Sequence, residues 1–143
     1  MELLSEMPRI FWAGDSTVKQ NDFTSYPQCG IGQGFSLFVK KEIIIVNRAE
    51  NGRSTKSFID EGRLEFIKEN IRKGDFLFIQ FGHNDEKNDP LRYTDPQTTF
   101  KDNLRTFINT AKNVGAYPLL ITPLYRRLFA SEGKLVDNTH LTY

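Results

Sequence analysis

The sequence predicts an α/β protein in which helices cover both faces of one parallel sheet. Four short apolar runs, at about residues 9–13, 43–47, 76–81 and 118–122, alternate with helical or turn-forming segments. This alternation is typical of successive β-α-β units. The second and third runs are nearly continuous in apolar residues, as expected for strands covered on both faces. We therefore expect a three-layer α/β/α arrangement with a flavodoxin-like strand order of 2-1-3-4.

Helical patterns fall between these strands. After a glycine-rich loop over residues 21–34, a short helix is expected with Phe35, Phe38 and Val39 on its apolar face. A second helix is expected near residues 63–72, where apolar residues recur at helical spacing.

The helix before the fourth strand has clear start and stop signals. Asp95 is a capping carboxylate followed by Pro96, a residue favoured at the first helical position, and Gly115 is suited to the end. The expected apolar face consists of Phe100, Leu104, Phe107, Ile108, Ala111 and Val114.

Polar turns follow each of the first three strands. Ser16 follows strand one, Gly52 follows strand two and Asn84 follows strand three. The carboxyl ends of parallel strands meet at one edge of a sheet, where ligands commonly bind. Acyl transfer requires a nucleophile together with hydrogen-bond donors aimed at the developing oxyanion. Ser16 can supply the nucleophile, Gly52 a backbone N–H and Asn84 a side-chain amide.

Each of these residues also has a purely structural interpretation. Ser16 can be a helix cap, Gly52 a turn glycine and Asn84 part of an Asx turn. Their coincidence at three strand ends favours the functional interpretation. The glycines from Gly30 to Gly34 do not have dinucleotide-fingerprint spacing, and we interpret them as a substrate-side loop.

In chain order, Gly14-Asp15-Ser16, Gly52 and Gly82-His83-Asn84-Asp85 resemble the first three blocks of the SGNH (GDSL-type) hydrolases. Finer features resemble the rhamnogalacturonan acetylesterase branch of that family: Asp15-Ser16-Thr17-Val18, Gly32-Gln33-Gly34-Phe35, Asn51-Gly52-Arg53-Ser54-Thr55-Lys56-Ser57-Phe58 and Glu61-Gly62-Arg63. The resemblance implies a serine esterase that removes O-acetyl groups from carbohydrate, such as acetylated rhamnogalacturonan. It implies Ser16 as the catalytic nucleophile and an oxyanion hole of Ser16, Gly52 and Asn84. No metal or cofactor is implied.

A late Asp-x-x-His block supplies the general base and its orienting carboxylate in this family. Asp137-Asn138-Thr139-His140 matches that string, but it follows the fourth strand directly, whereas the family's base lies beyond a fifth. We expect Asp137 and His140 to belong to a substrate-side loop; the alternative is that they form the catalytic dyad. On the first interpretation, residues 1–143 are a single hydrolase domain that lacks its fifth strand and is a poor esterase. Strand four would then be an exposed edge that favours self-association.

Charge and composition exclude several partners. With 19 basic and 18 acidic residues, the chain lacks the basic excess of a nucleic-acid-binding protein. No apolar run has the length of a membrane span, and the N-terminal residues do not resemble a signal peptide, so a cytoplasmic location is expected. Cys29 is the single cysteine, which excludes an internal disulfide.

Two rival functions fit the same motifs. The first is an SGNH esterase, lipase or thioesterase that acts on a different acyl substrate. The second is a non-catalytic flavodoxin-like binding domain in which Ser16 is only a cap. Reaction of Ser16 with a fluorophosphonate distinguishes the binding domain from any esterase, and a panel of esters distinguishes the acyl substrates.

Overall fold

A computed structural model describes residues 7–125, 128–136, 140 and 142–143. Within them, four strands form one sheet: β1 (Ile10–Gly14), β2 (Ile45–Asn47), β3 (Phe76–Gln80) and β4 (Tyr117–Leu120). All neighbouring strands are parallel, and their order is β2-β1-β3-β4. The predicted α/β class and strand order are confirmed.

The register of the sheet brings the strand ends together. Ile10 of β1 is paired with Ile45 on one side and with Phe76 on the other, and Gly14 is paired with Gln80. The chain therefore leaves β1 and β3 at the same level of the same edge. The turn after β2 is held there as well, since the Glu50 N–H donates a hydrogen bond of 3.2 Å to Gly14 O.

Four α-helices connect the strands within the described residues: α1 (Ile31–Phe35), α2 (Thr55–Asp60), α3 (Arg63–Asn70) and α4 (Thr99–Lys112). None of these helices combines the length and the apolar character needed to cross a bilayer. The helix predicted near residues 63–72 corresponds to α3. Helix α2 was not predicted; Ser54 caps it by accepting a hydrogen bond from Ser57 N, and the Ser57 hydroxyl accepts one from Ser54 N.

Two predicted helix boundaries were wrong. Helix α1 begins inside the expected glycine-rich loop, and Phe38 is exposed on a 3₁₀ turn (Ser36–Phe38) that follows it. Helix α4 begins at Thr99, because the Asp95 carboxylate instead caps a preceding turn through Gln97 N and Thr98 N, both at 2.9 Å. Local hydrogen bonds of this kind compete with the helical ladder.

Successive side chains of β1 point to opposite faces of the sheet, and the core accordingly forms two clusters, one on each face. Phe11 and Ala13 belong to the cluster beneath α2, α3 and α4. Trp12 belongs to the other cluster, where its ring packs edge-on against Phe78 and Phe35, with centroid distances of 4.8 and 5.6 Å. The strand that precedes the Ser16 turn is thus covered on both faces.

The fourth strand is the edge of the sheet on the side away from β2. Its residues Tyr117, Leu119 and Leu120 are exposed. An exposed apolar edge strand is a template for pairing with another chain. Self-association through β4 therefore stays a prediction.

The close approach of the Gly30 segment to the turn after Ser16 gives a testable stability difference. A Cβ at Gly30 would lie 2.3 Å from Lys19 O, so Gly30→Ala is expected to destabilise the fold by about 1–3 kcal/mol. At Gly34, within α1, a Cβ would meet no described atom within 4 Å. Gly34→Ala should therefore be neutral or stabilising by about 0.5–1 kcal/mol. Urea denaturation of both variants measures the difference, and equal midpoints would contradict it.

Candidate active site

The turn that carries Ser16 is fixed by the carboxylate of the preceding residue. Asp15 is buried, and its Oδ1 accepts hydrogen bonds from Thr17 N at 2.8 Å and Thr17 Oγ1 at 2.7 Å. The backbone carbonyl of Asp15 accepts from Val18 N and Lys19 N. These bonds hold Ser16 half-buried at the carboxyl end of β1.

Ser16 lines a cavity of about 300 Å³ at this edge of the sheet. The other lining residues are Thr17, His83, Asn84, Lys87, Leu124 and Tyr125. Within the described residues, neither the hydroxyl nor the N–H of Ser16 makes a hydrogen bond to protein. The Ser16 side chain thus faces an open cavity, and no described side chain is placed to take the proton of its hydroxyl.

Asn84, the predicted amide donor, lies in the same cavity and is almost fully buried. Its Nδ2 donates a hydrogen bond of 3.1 Å to Arg53 O and a longer one of 3.4 Å to Asp15 Oδ2. The amide is therefore held between the turns that follow β1 and β2. The structure brings Ser16 and Asn84 together.

Gly52 lines a neighbouring pocket of about 260 Å³ rather than the Ser16 cavity. Its φ of 73° is in the left-handed region, which favours glycine. No described residue accepts a hydrogen bond from its N–H. The link to the cavity is indirect, because the next residue, Arg53, supplies the carbonyl that holds Asn84.

His83 and Asp15 form a buried pair beneath the cavity. His83 Nδ1 lies 3.5 Å from Asp15 Oδ2, and His83 Nε2 lies 2.9 Å from Leu124 O. Burial acts to raise the pKa of the Asp15 carboxyl, but hydrogen bonds from His83 and Thr17 outweigh it and hold that pKa below its ordinary value. The contacts of the His83 ring with Asp15 and Leu124 suit a residue that orients the Ser16 turn.

Asp85 joins three separate segments below the site. Its carboxylate accepts from Thr55 N at 3.0 Å, from Thr55 Oγ1 at 2.5 Å and from Thr94 Oγ1 at 3.0 Å. Burial raises the pKa of Asp85 to about 6, although the hydrogen bonds from Thr55 and Thr94 act to lower it. The Tyr143 hydroxyl donates to Asp85 O at 3.2 Å.

His140 lies beside the candidate site. Its Nδ1 lies 2.8 Å from Glu86 Oε2, and its ring packs edge-on against His83 with centroids 4.1 Å apart. These contacts are with residues other than Ser16. Asp137, the other half of the candidate dyad, lies outside the described residues.

Sequence reasoning missed several residues that shape the site. Lys87 and Tyr125 line the Ser16 cavity, and Thr55 and Thr94 hold Asp85. Thr55 could have been found, since it follows Ser54, which is a helix-capping residue type. Thr94 carries no local signal, because its role depends on a tertiary contact.

The chain is similar in sequence to two proteins of Bacillus subtilis. It is 42% identical over 127 residues to rhamnogalacturonan acetylesterase RhgT of Bacillus subtilis, an alignment that covers 89% of this chain and 53% of RhgT. It is 49% identical over 118 residues to the probable rhamnogalacturonan acetylesterase YesY of the same organism, covering 82% of this chain and 54% of YesY. The chain thus spans about half the length of these relatives. No protein-family model matches it.

Solved structures agree with the sequence relationships. The crystal structure of YxiM from Bacillus subtilis superposes with a TM-score of 0.80 at 31% identity, covering 95% of this chain and 38% of YxiM. A lipase/acylhydrolase from Enterococcus faecalis has the same fold, with a TM-score of 0.57 at 24% identity and coverage of 83% and 58%. In strand order and sequence, the chain is thus similar to the YxiM structure and to about half of two proteins named as known or probable rhamnogalacturonan acetylesterases.

Proposed function

We propose that the protein is a serine esterase that removes O-acetyl groups from a carbohydrate through an acyl-enzyme. The observation that carries the proposal is the shared cavity of Ser16 and Asn84, at the carboxyl edge of a parallel sheet. The similarity to RhgT and YesY supports acetylated rhamnogalacturonan, or an oligosaccharide from it, as the substrate.

In the proposed reaction, Ser16 Oγ attacks the carbonyl carbon of the acetyl group, and the carbonyl π electrons move to oxygen. The resulting oxyanion accepts hydrogen bonds from the Ser16 N–H and from Asn84 Nδ2, which face the same cavity. The Gly52 N–H is the third donor that the family resemblance implies, and it would have to act from the neighbouring pocket. When the tetrahedral intermediate collapses, the bond from the carbonyl carbon to the sugar oxygen breaks, and the sugar leaves as a hydroxyl that carries the proton given up by Ser16. Water then adds to the acetyl-Ser16 ester, the bond to Ser16 Oγ breaks, one water proton returns to Ser16, and the acetic acid formed ionises to acetate.

The Asn84 amide can serve this role without losing its anchor. One hydrogen of Nδ2 is directed at Arg53 O, and the other makes only the 3.4 Å contact with Asp15 Oδ2. An oxyanion in the cavity would compete with this longer bond. We infer that the short bond positions the amide and that the second hydrogen stabilises the transition state.

Labelling by a fluorophosphonate tests the proposal directly. We expect covalent labelling of the 143-residue chain at Ser16, located by mass spectrometry of its peptides, and complete loss in Ser16→Ala. Ser36→Ala is the matched control, since Ser36 is an exposed serine outside the Ser16 cavity, and it should label like the parent. A folded parent that is never labelled would favour the non-catalytic binding domain. A panel of esters then distinguishes acetyl from longer acyl groups.

Activity of the 143-residue chain itself is expected to be weak. No side chain among the described residues takes the Ser16 proton, and a hydroxyl without a base is a poor nucleophile at neutral pH, although about 1000-fold catalysis over water can remain from the oxyanion hole and binding. His140→Ala should therefore leave the low rate on a chromogenic acetate ester unchanged. Robust turnover by the parent that disappears in folded His140→Ala would instead assign the dyad to Asp137 and His140.

A further inference from the structure

A second cavity, of about 780 Å³, adjoins the segment that follows the Ser16 turn. Its lining combines two aromatic rings with several side-chain amides. The residues that matter here are Gln20, Asn21, Phe23, Tyr26, Gln28 and Gln33. None of them has a part in the acyl-transfer chemistry proposed above.

The two aromatic residues are almost fully exposed. Phe23 is 99% exposed and Tyr26 is 84% exposed, so burial of these rings contributes little to folding. Phe23 begins a 3₁₀ turn (Phe23–Ser25), and Tyr26 follows it and donates its N–H to Phe23 O. Both rings line this cavity, so they face a common space. Such rings can stack on the C–H face of a sugar.

The amide groups supply the polar half of such a site. Each Asn or Gln side chain offers a donor and an acceptor side by side, which match a pair of neighbouring hydroxyl groups. Asn21 is only 8% exposed, and its Nδ2 has no hydrogen-bond partner in the described part of the chain. A buried donor without a partner is costly, and a ligand hydroxyl would remove that cost.

Hydrogen bonds hold the lining of this cavity close to the Ser16 turn. The Ile31 N–H donates a 2.7 Å hydrogen bond to Thr17 O, and Gln33 Oε1 accepts one of 2.9 Å from Asn21 N. Gln20 is four positions after Ser16 in the chain, which limits the distance between their Cα atoms to about 14 Å. A ligand that extends from the Ser16 cavity can therefore reach the aromatic rings.

The charge of the residues that line this cavity favours one class of ligand. Among the described lining residues, Asp22 alone carries a charge, and its carboxylate caps the 3₁₀ turn by accepting from Thr24 N at 2.9 Å. The hydrogen bonds from Thr24 hold the pKa of Asp22 below its ordinary value, so the group is an anion at neutral pH. Phosphate or uronate groups would be repelled, whereas uncharged sugars would not.

We propose that this aromatic-amide cavity is a subsite for a neutral sugar of the acetylated carbohydrate, next to the sugar whose acetyl group meets Ser16. The proposal rests on the esterase function proposed above and extends it to substrate recognition. It accounts for exposed aromatic rings and a buried amide that neither the fold nor the acyl transfer explains.

Calorimetry on a Ser16→Ala background tests the subsite, because that variant leaves the acetyl groups of the probe in place. The probe is an acetylated rhamnogalacturonan oligosaccharide. Adding Phe23→Ala and Tyr26→Ala should raise its Kd about 10-fold or more. The matched control is Leu37→Ala with Phe38→Ala, two residues of similar exposure, at 82% and 85%, outside the cavity; its Kd should stay within about twofold of the background.

Different results separate the two proposals. With Ser16 intact, the Phe23→Ala, Tyr26→Ala protein should be labelled by fluorophosphonate like the parent. If the parent itself is not labelled, the esterase proposal is overturned and the subsite proposal is not. An unchanged Kd in the aromatic double variant, or no binding of the oligosaccharide to folded protein, overturns the subsite. Methyl rhamnoside should compete better than methyl galacturonoside, and the reverse order would overturn the assignment of a neutral sugar.

Discussion

In a complete, active version of this enzyme, replacing Asn84 by alanine is expected to lower kcat for acetate ester hydrolysis about 100- to 1000-fold, with little change in KM. The reason is that the Asn84 amide meets the oxygen chiefly after it has gained negative charge. An interaction made only in the transition state affects kcat rather than substrate binding. Steady-state kinetics on a chromogenic acetate ester measures the effect, and the rate of fluorophosphonate labelling provides a second readout.

Two further variants distinguish a loss of catalysis from a loss of folding in Asn84→Ala. Asn88→Ala alters an exposed asparagine of the same loop and should retain the parental rate. Asn84→Asp keeps the shape of the side chain but removes the amide donor, so it should be as slow as Asn84→Ala. Denaturation midpoints check that each variant is folded at the assay temperature. Parental turnover in folded Asn84→Ala would remove this residue from the mechanism.

Replacing Asp85 by alanine is expected to destabilise the protein by about 3–5 kcal/mol, a large share of a typical domain's stability. The change leaves the N–H and hydroxyl of Thr55 and the hydroxyl of Thr94 without their buried acceptor. Urea denaturation measures the loss. Asp102→Ala is the control, because Asp102 makes an exposed pair with Arg105, and it should change stability by about 0.5 kcal/mol or less.

The pH dependence gives a second measurement that does not rely on the alanine variant folding. Because the folded pKa of Asp85 is raised to about 6, the folded state holds this proton more tightly than the unfolded state. Its contribution to stability is complete below the unfolded pKa and is lost as pH rises through 6. Between pH 4 and 7 the parent should lose on the order of 3 kcal/mol relative to Asp85→Asn. A constant difference would contradict the raised pKa.

The strands were predictable because their signal is local. Each apolar run is bounded by glycine or polar residues, and parallel pairing follows from the alternation with helices. Helix α2 was missed because Thr55–Asp60 contains only two apolar residues, and Phe58 alone among them is fully buried. Its cap uses Ser57 where a Glu or Gln is the usual signal.

In the candidate site, too, some positions could be predicted from the local sequence and others could not. Ser16 and Asn84 could be predicted to lie together because both follow strands that end at one edge. The position of Gly52 in a neighbouring pocket could not, because it depends on how the turn after β2 bends. Phe38 was assigned to an apolar face from spacing alone, but the chain ends α1 at Phe35 and leaves Phe38 exposed.

Strand β1 lies between two partner strands, whereas β2 is at the edge of the sheet. The parts of the candidate site that follow these two strands should therefore differ in how easily they open. Ser16 extends from a five-residue strand covered on both faces, whereas Gly52 follows a three-residue strand at the sheet edge. Edge elements with few buried contacts exchange their amide hydrogens through small local openings, and central strands exchange near the global limit. The β2 edge should therefore separate from β1 first. In a partly opened molecule, Ser16 and Asn84 would stay side by side while Gly52 moves away from them.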